Sequence, residues 1–167
     1  MPKGHADRAF GGAKIALHDD RFLLTYLRDA REDLPFPGQW DLPGGGREGR
    51  ESPVECALRE VEEEFALRLD ASCINYARCY ASGDRDITAT WFLAGRIHAE
   101  DVRLIRFGDE GQEWRMMAIE EFLGRSDAVA PMQQRLRDYL DSQSDRSPAY
   151  PCTPCPNKRR YSSSATP

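Results

Sequence analysis

A chain of 167 residues with 40% hydrophobic and 31% charged content has the make-up of one globular domain with its own core, which excludes a low-complexity chain or a disulfide-stapled miniature. Its formal net charge of -5 argues against a surface built to hold a nucleic-acid polymer. The cysteines Cys56, Cys73, Cys79, Cys152 and Cys155 are odd in number, residues 1–12 have no apolar segment, and no run reaches membrane-spanning length, so the expectation is a cytoplasmic protein with free thiols and no membrane partner.

In chain order, 13–18 and 22–27 read as two short strands joined at the turn-prone pair Asp19-Asp20. Residues 28–38, polar and broken by Pro35 and Pro37, read as a loop. Trp40-Asp41-Leu42-Pro43 is a short extended piece, and Gly44-Gly45-Gly46 ends it with backbone freedom that a Cβ would remove. A helix follows. Ser52 suits its N-cap, Pro53 its first position, and Glu55 completes a capping box. Val54, Ala57, Leu58, Val61 and Phe65 give it one apolar face, to about Ala66. Residues 69–82 and 87–97 are rich in β-branched and aromatic side chains around Ser82-Gly83-Asp84-Arg85 and read as a hairpin. Residues 100–111 read as a strand edge and loop, 113–118 as a strand, 119–123 as the start of a short helix, and 131–140 as an amphipathic helix. The Pro- and Ser-rich remainder reads as a disordered tail, which divides the chain into a domain at 1–142 and a tail at 143–167. Strands with one helix in the middle and another at the end suggest a mixed sheet with helices packed on its faces.

The chemistry is concentrated in Arg59-Glu60-Val61-Glu62-Glu63-Glu64. Glu60 and Glu64 stack one helical turn apart, Glu63 lies beside them, and Glu51 precedes the helix. Taken alone, such a stretch is most often a solvated acidic face. Carboxylates that do converge repel one another unless a cation lies between them, and Mg²⁺ prefers oxygen ligands and bridges readily to phosphate. The glycine turn leading into a capped helix tips the balance toward a site.

The segment Gly45-x5-Glu51-x7-Arg59-Glu60-Val61-x-Glu63-Glu64-x-Ala66-Leu67 resembles the Nudix box, G-x5-E-x7-R-E-U-x-E-E-x-G-U, where U is a bulky apolar residue. The single departure is Ala66 at the last glycine, where a positive φ would cost alanine roughly 1 kcal/mol. The resemblance implies an α/β; Nudix-type α/β/α sandwich with a mixed β-sheet, and hydrolysis of a nucleoside diphosphate linked to another group. Carried over by position, Glu60, Glu63 and Glu64 become the metal ligands and Glu51 an auxiliary ligand. Arg59 becomes the residue that orients a glutamate, and Gly44, Gly45 and Gly46 bring backbone groups to the metal or phosphate. The cofactor implied is Mg²⁺, with Mn²⁺ as a substitute, and the substrate a small nucleotide. The general base is a box glutamate or a distant one, with Glu110 and Glu113 as the distant candidates. Arg28 is a candidate phosphate contact and equally a surface arginine.

Family substrate markers narrow the class by elimination. ADP-ribose-type members often carry a proline shortly after the box, and here none stands between Pro53 and Pro131. Tyr76 and Tyr80 come too early for the tyrosine of dinucleoside polyphosphate enzymes. Leu23-Leu24-Thr25 matches only the opening of a coenzyme A motif. What is left looks like the MutT-type branch acting on nucleoside triphosphates, against the alternative of a catalytically silent nucleotide-binding module. Cys152-Thr-Pro-Cys155 is half a zinc site with no second pair, and Lys158-Arg159-Arg160 is too short for a nucleic-acid patch. Trp40, Trp91, Trp114, Phe36 and Tyr80 are the aromatics that could stack on a base, and burial is the commoner fate of the three tryptophans. A homodimer stays open.

Overall fold

Two strands show how the sequence divides into layers. Ile15 and Leu17 of β1 (Gly12–His18) are buried on one face of the sheet and Ala16 on the other, and in β2 (Phe22–Leu27) Leu24 and Leu23 divide in the same way. This is the period-two alternation of a strand covered on both sides. The computed structural model describes residues 10–81 and 89–144.

Further elements are β3 (Trp40–Asp41), β4 (Gly44–Gly46), α1 (Pro53–Phe65), β5 (Ile74–Ala81), β6 (Ala89–Arg96), α2 (Ala99–Leu104), β7 (Glu113–Ala118), α3 (Ile119–Gly124) and α4 (Ala130–Ser144). The strands lie in the order β3-β2-β1-β6-β5, with β4 paired to β1 and β7 to β2. β1 and β6 run parallel and the other pairs antiparallel, so the sheet is mixed. Ala57, Val61 and Phe65 of α1 pack on the face of Ile15, Leu17, Leu24 and Leu93. Phe122 of α3 and Met132, Leu136 and Tyr139 of α4 pack on the face of Ala16, Leu23, Phe92 and Ala94. The result is the expected α/β/α sandwich.

α1 is capped as its sequence requires. Glu55 N donates to Ser52 Oγ at 3.2 Å, Ser52 N donates to Glu55 Oε2 at 2.8 Å, and Pro53 opens the helix. Ala66 ends it in the left-handed region, φ 51° and ψ 31°. Two carbonyls of its last turn are satisfied from outside: Arg106 N donates to Phe65 O at 2.9 Å and Gly108 N to Glu64 O at 2.8 Å.

Three expectations need correction. Residues 100–111 are not a strand edge, because 99–104 form α2, with His98 N donating to Asp101 Oδ2 at its start, and a loop runs on from Ile105. So short a helix has too few turns to display its period. The stretch 69–82 is not strand throughout: Ala71–Cys73 is a 3-10 turn capped by Asp70, and β5 begins at Ile74. α4 runs over Ala130–Ser144, longer than the helix expected at 131–140. The turn at 82–85, the remaining tail and Cys152, Cys155 and 158–160 lie outside the described residues.

Candidate active site

α1 buries Ala57, Val61 and Phe65 completely, and this orientation decides where its acids go. Glu60 and Glu64 sit next to the stripe and turn toward β4. Gly44 N donates to Glu64 Oε2 at 3.1 Å. A Cβ on Gly45 would stand 2.6 Å from the Glu60 carboxylate, so at this position only glycine lets strand and acid approach so closely. Cys56 supports the turn from below, with Sγ 3.7 Å from Gly45 O and 3.5 Å from Gly46 O.

The acids differ in environment. Glu64 is only 5% exposed, and burial pushes its pKa up to about 8, against the pull of Lys14 and the Gly44 N–H. Burial also raises Glu60, with Arg59 opposing. Glu51 is held below the usual carboxylate range by its hydrogen bond from Arg59. Glu63 is mostly exposed.

One guanidinium ties this set together. Arg59 Nε donates to Glu51 Oε1 at 2.6 Å, and Nη2 donates to Gly46 O at 2.8 Å. Arg59 Nη1 lies 2.9 Å from Glu60 Oε1 and 2.8 Å from Glu63 Oε2. Among the described residues no three carboxylates, thiols or imidazoles are grouped as a ready-made metal site, and Arg59 is the cation found between Glu51, Glu60 and Glu63.

A cleft of about 530 Å³ opens over this arrangement. It is lined by Gly44, Gly45 and Gly46, by Arg59, Glu60, Glu63 and Glu64, by Asp109, Glu110 and Gly111, and by Tyr26, Arg28, Asp29, Arg31 and Leu34. The fold therefore brings Arg28 and Glu110 to the box acids from distant parts of the chain. Glu51 lines a neighbouring groove and reaches the set through Arg59. Glu113 stands exposed on β7 and does not line the cleft.

A family model described as NUDIX domain matches residues 8–141. The chain belongs to the Nudix family. It is a Nudix hydrolase. It is 32% identical over 114 residues to the nucleoside triphosphatase NudI of Salmonella arizonae, covering 63% of this chain and 78% of that one. Its fold is similar to the NUDIX hydrolase of Nitrosomonas europaea, with a TM-score of 0.63 and 21% identity over 87% of this chain and 78% of that one. It is also similar to the MutT protein of Methanosarcina mazei, with a TM-score of 0.59 and 18% identity over 84% of this chain and 99% of that one.

Nudix hydrolases generally use divalent metals. The donors here are all hard oxygens, carboxylates beside loop carbonyls, which is the chemistry that Mg²⁺ or Mn²⁺ takes. The absence of a Cβ at Gly45 lets the Glu60 carboxylate lie directly against the loop backbone. No helix among the described residues is long and apolar enough to cross a membrane.

The aromatic candidates fall elsewhere in this Nudix chain. Trp40 is buried under Arg115, whose guanidinium carbon is 4.4 Å from the ring centre, with Arg125 at 5.6 Å. Trp91 and Trp114 pack against the α1-side core. Tyr80 donates to Asp138 at 2.9 Å, with Arg78 and Arg135 over its ring. Phe36 is exposed at φ 55°. None of the five lines the cleft.

Sequence reasoning missed the network beneath Arg28. Asp41 is almost fully buried, and its Oδ2 accepts from Lys14 Nζ at 2.9 Å and from Arg28 Nη1 at 2.9 Å. Lys14 Nζ also donates to Leu42 O at 3.0 Å and Tyr26 OH at 3.3 Å, while Arg28 Nε donates to Pro35 O at 2.9 Å. Burial pulls the Lys14 pKa down, but Asp41, Tyr26 and Glu64 more than reverse this, and the net shift is upward. The available signal was a single lysine within an otherwise apolar strand, followed by an aspartate just before the glycines.

Proposed function

We propose that this Nudix hydrolase cleaves nucleoside triphosphates with a divalent metal, Mg²⁺ or Mn²⁺, releasing a nucleoside monophosphate and pyrophosphate by attack of water on phosphorus. The observation that carries the reading is the convergence of Glu60, Glu63 and Glu64 in one cleft with Arg28 and Glu110, beside a glycine turn against which the Glu60 carboxylate lies. Similarity to the nucleoside triphosphatase NudI supports the substrate class.

In this reading Glu60, Glu63 and Glu64 hold the metal, Glu51 assists, and Arg59 keeps Glu51 and Glu63 in place. A bound divalent ion would neutralise phosphate charge and orient the group under attack. Gly44, Gly45 and Gly46 offer backbone groups to the metal and phosphate. Arg28, with Nε and Nη1 held by Pro35 and Asp41, has Nη2 left for a phosphate oxygen. Glu110 accepts the proton of the attacking water as general base.

A catalytically silent nucleotide-binding module is the competing reading, and the complete acid set argues against it. Incubation with a panel of nucleoside triphosphates and Mg²⁺, with the products resolved, tests the proposal. Monophosphate and pyrophosphate are expected. Release of phosphate and diphosphate would move the attack to another phosphorus, and binding without turnover would leave the silent module standing.

A further inference from the structure

We propose that Gln112 is a positioning residue that sets Glu110 over the cleft, an inference that rests on the reading of Glu110 as the base. The loop carrying Asp109 and Glu110 is tied at both ends. At its start, Gly108 N donates to Glu64 O at 2.8 Å, so the loop departs from the backbone of a cleft acid. At its end, Gln112 N donates to Leu27 O at 2.8 Å, and Gln112 Nε2 donates to Arg28 O at 2.8 Å. Between the ties, Gly111 has φ 94°, and a Cβ there would stand 2.8 Å from Leu27 O and 2.9 Å from Tyr26 Cδ2. The loop is thus pressed onto the end of β2.

The side-chain amide does what the backbone ties do not. It reaches past the last residue of β2 to the carbonyl of Arg28, the residue whose guanidinium lines the same cleft. One hydrogen bond therefore couples the segment bearing the base to the segment bearing the phosphate-binding arginine. Catalysis by a base depends steeply on such placement, whereas an exposed amide contributes little to global stability.

Gln112→Met keeps the length of the side chain and removes the donor without adding a charge beside Glu110. Hydrogen exchange at the Gly108 and Gln112 amides, which needs no turnover, should accelerate by about tenfold while Tm stays put. With a nucleoside triphosphate and Mg²⁺, kcat should fall by about tenfold with KM unchanged. In a Glu110→Gln background the same substitution should cost nothing further. Unchanged exchange, an unchanged kcat when Glu110→Gln is itself impaired, or an equal loss in both backgrounds overturns the positioning role alone. Wild-type kcat in Glu110→Gln overturns the reading of the base, and this proposal with it.

Discussion

Replacing Ala66 with glycine should stabilise the protein and leave its activity alone. Ala66 ends α1 at φ 51° and ψ 31° with its methyl exposed, so deleting the methyl forfeits no core contact. An L-residue in the left-handed region costs roughly 1–2 kcal/mol. Glycine gives back about 0.5–1 kcal/mol, because its unfolded chain is freer. The turn itself persists, since Arg106 and Gly108 hold the carbonyls of Phe65 and Glu64 from outside. The balance is a gain of about 0–1.5 kcal/mol, which for a chain of this size raises Tm by up to about 6 °C. Urea unfolding of the two proteins followed by circular dichroism measures the gain, and turnover is measured alongside. A variant that is less stable, or a kcat that falls more than about twofold, would refute the argument that Ala66 is merely strained.

Glu64→Gln tests the buried acid. The folded carboxyl titrates at about 8, against 4.5 for an unperturbed glutamate, so between these pH values the unfolded chain sheds a proton that the fold retains. Stability of metal-free protein therefore falls as pH rises through this window and levels off above it, by at most about 5 kcal/mol. Glutamine still accepts from Gly44 N and does not ionise. In EDTA the variant should lose most of the decline between pH 5 and 8.5 in urea unfolding, the remainder coming from Glu60, which burial also raises, and identical slopes for the two proteins would exclude a strained carboxyl. Glu63→Gln removes an exposed carboxylate held by Arg59, so stability should move by less than about 1 kcal/mol while turnover with Mg²⁺ drops by about a hundredfold or more. Near wild-type turnover in a folded Glu63→Gln protein would remove it from the site.

The box, its cap and its helix were legible because they are local. Ser52, Pro53 and Glu55 announce the start of α1 through groups at most three positions apart, and the spacing of Val61 and Phe65 sets which side is buried. The strands of the double-covered sheet were legible for the same reason. α2 was not, because six residues show too little of a helical period, and the 3-10 turn at Ala71–Cys73 hid within an apolar stretch.

The amino-acid sequence by itself therefore determined the acids, the glycine turn and the α/β class, all of which follow from short-range patterns. Only the tertiary structure decided that Arg28 and Glu110 share the cleft and Glu113 does not. It also decided that Arg59 lies among three carboxylates and that Asp41 joins Lys14 to Arg28. These are contacts between segments far apart in the chain, set by which strands pair and which face α1 covers. The same cause separates Glu64 from Glu63: neighbours in sequence, one is buried against the sheet at the floor of the cleft and the other stands in water.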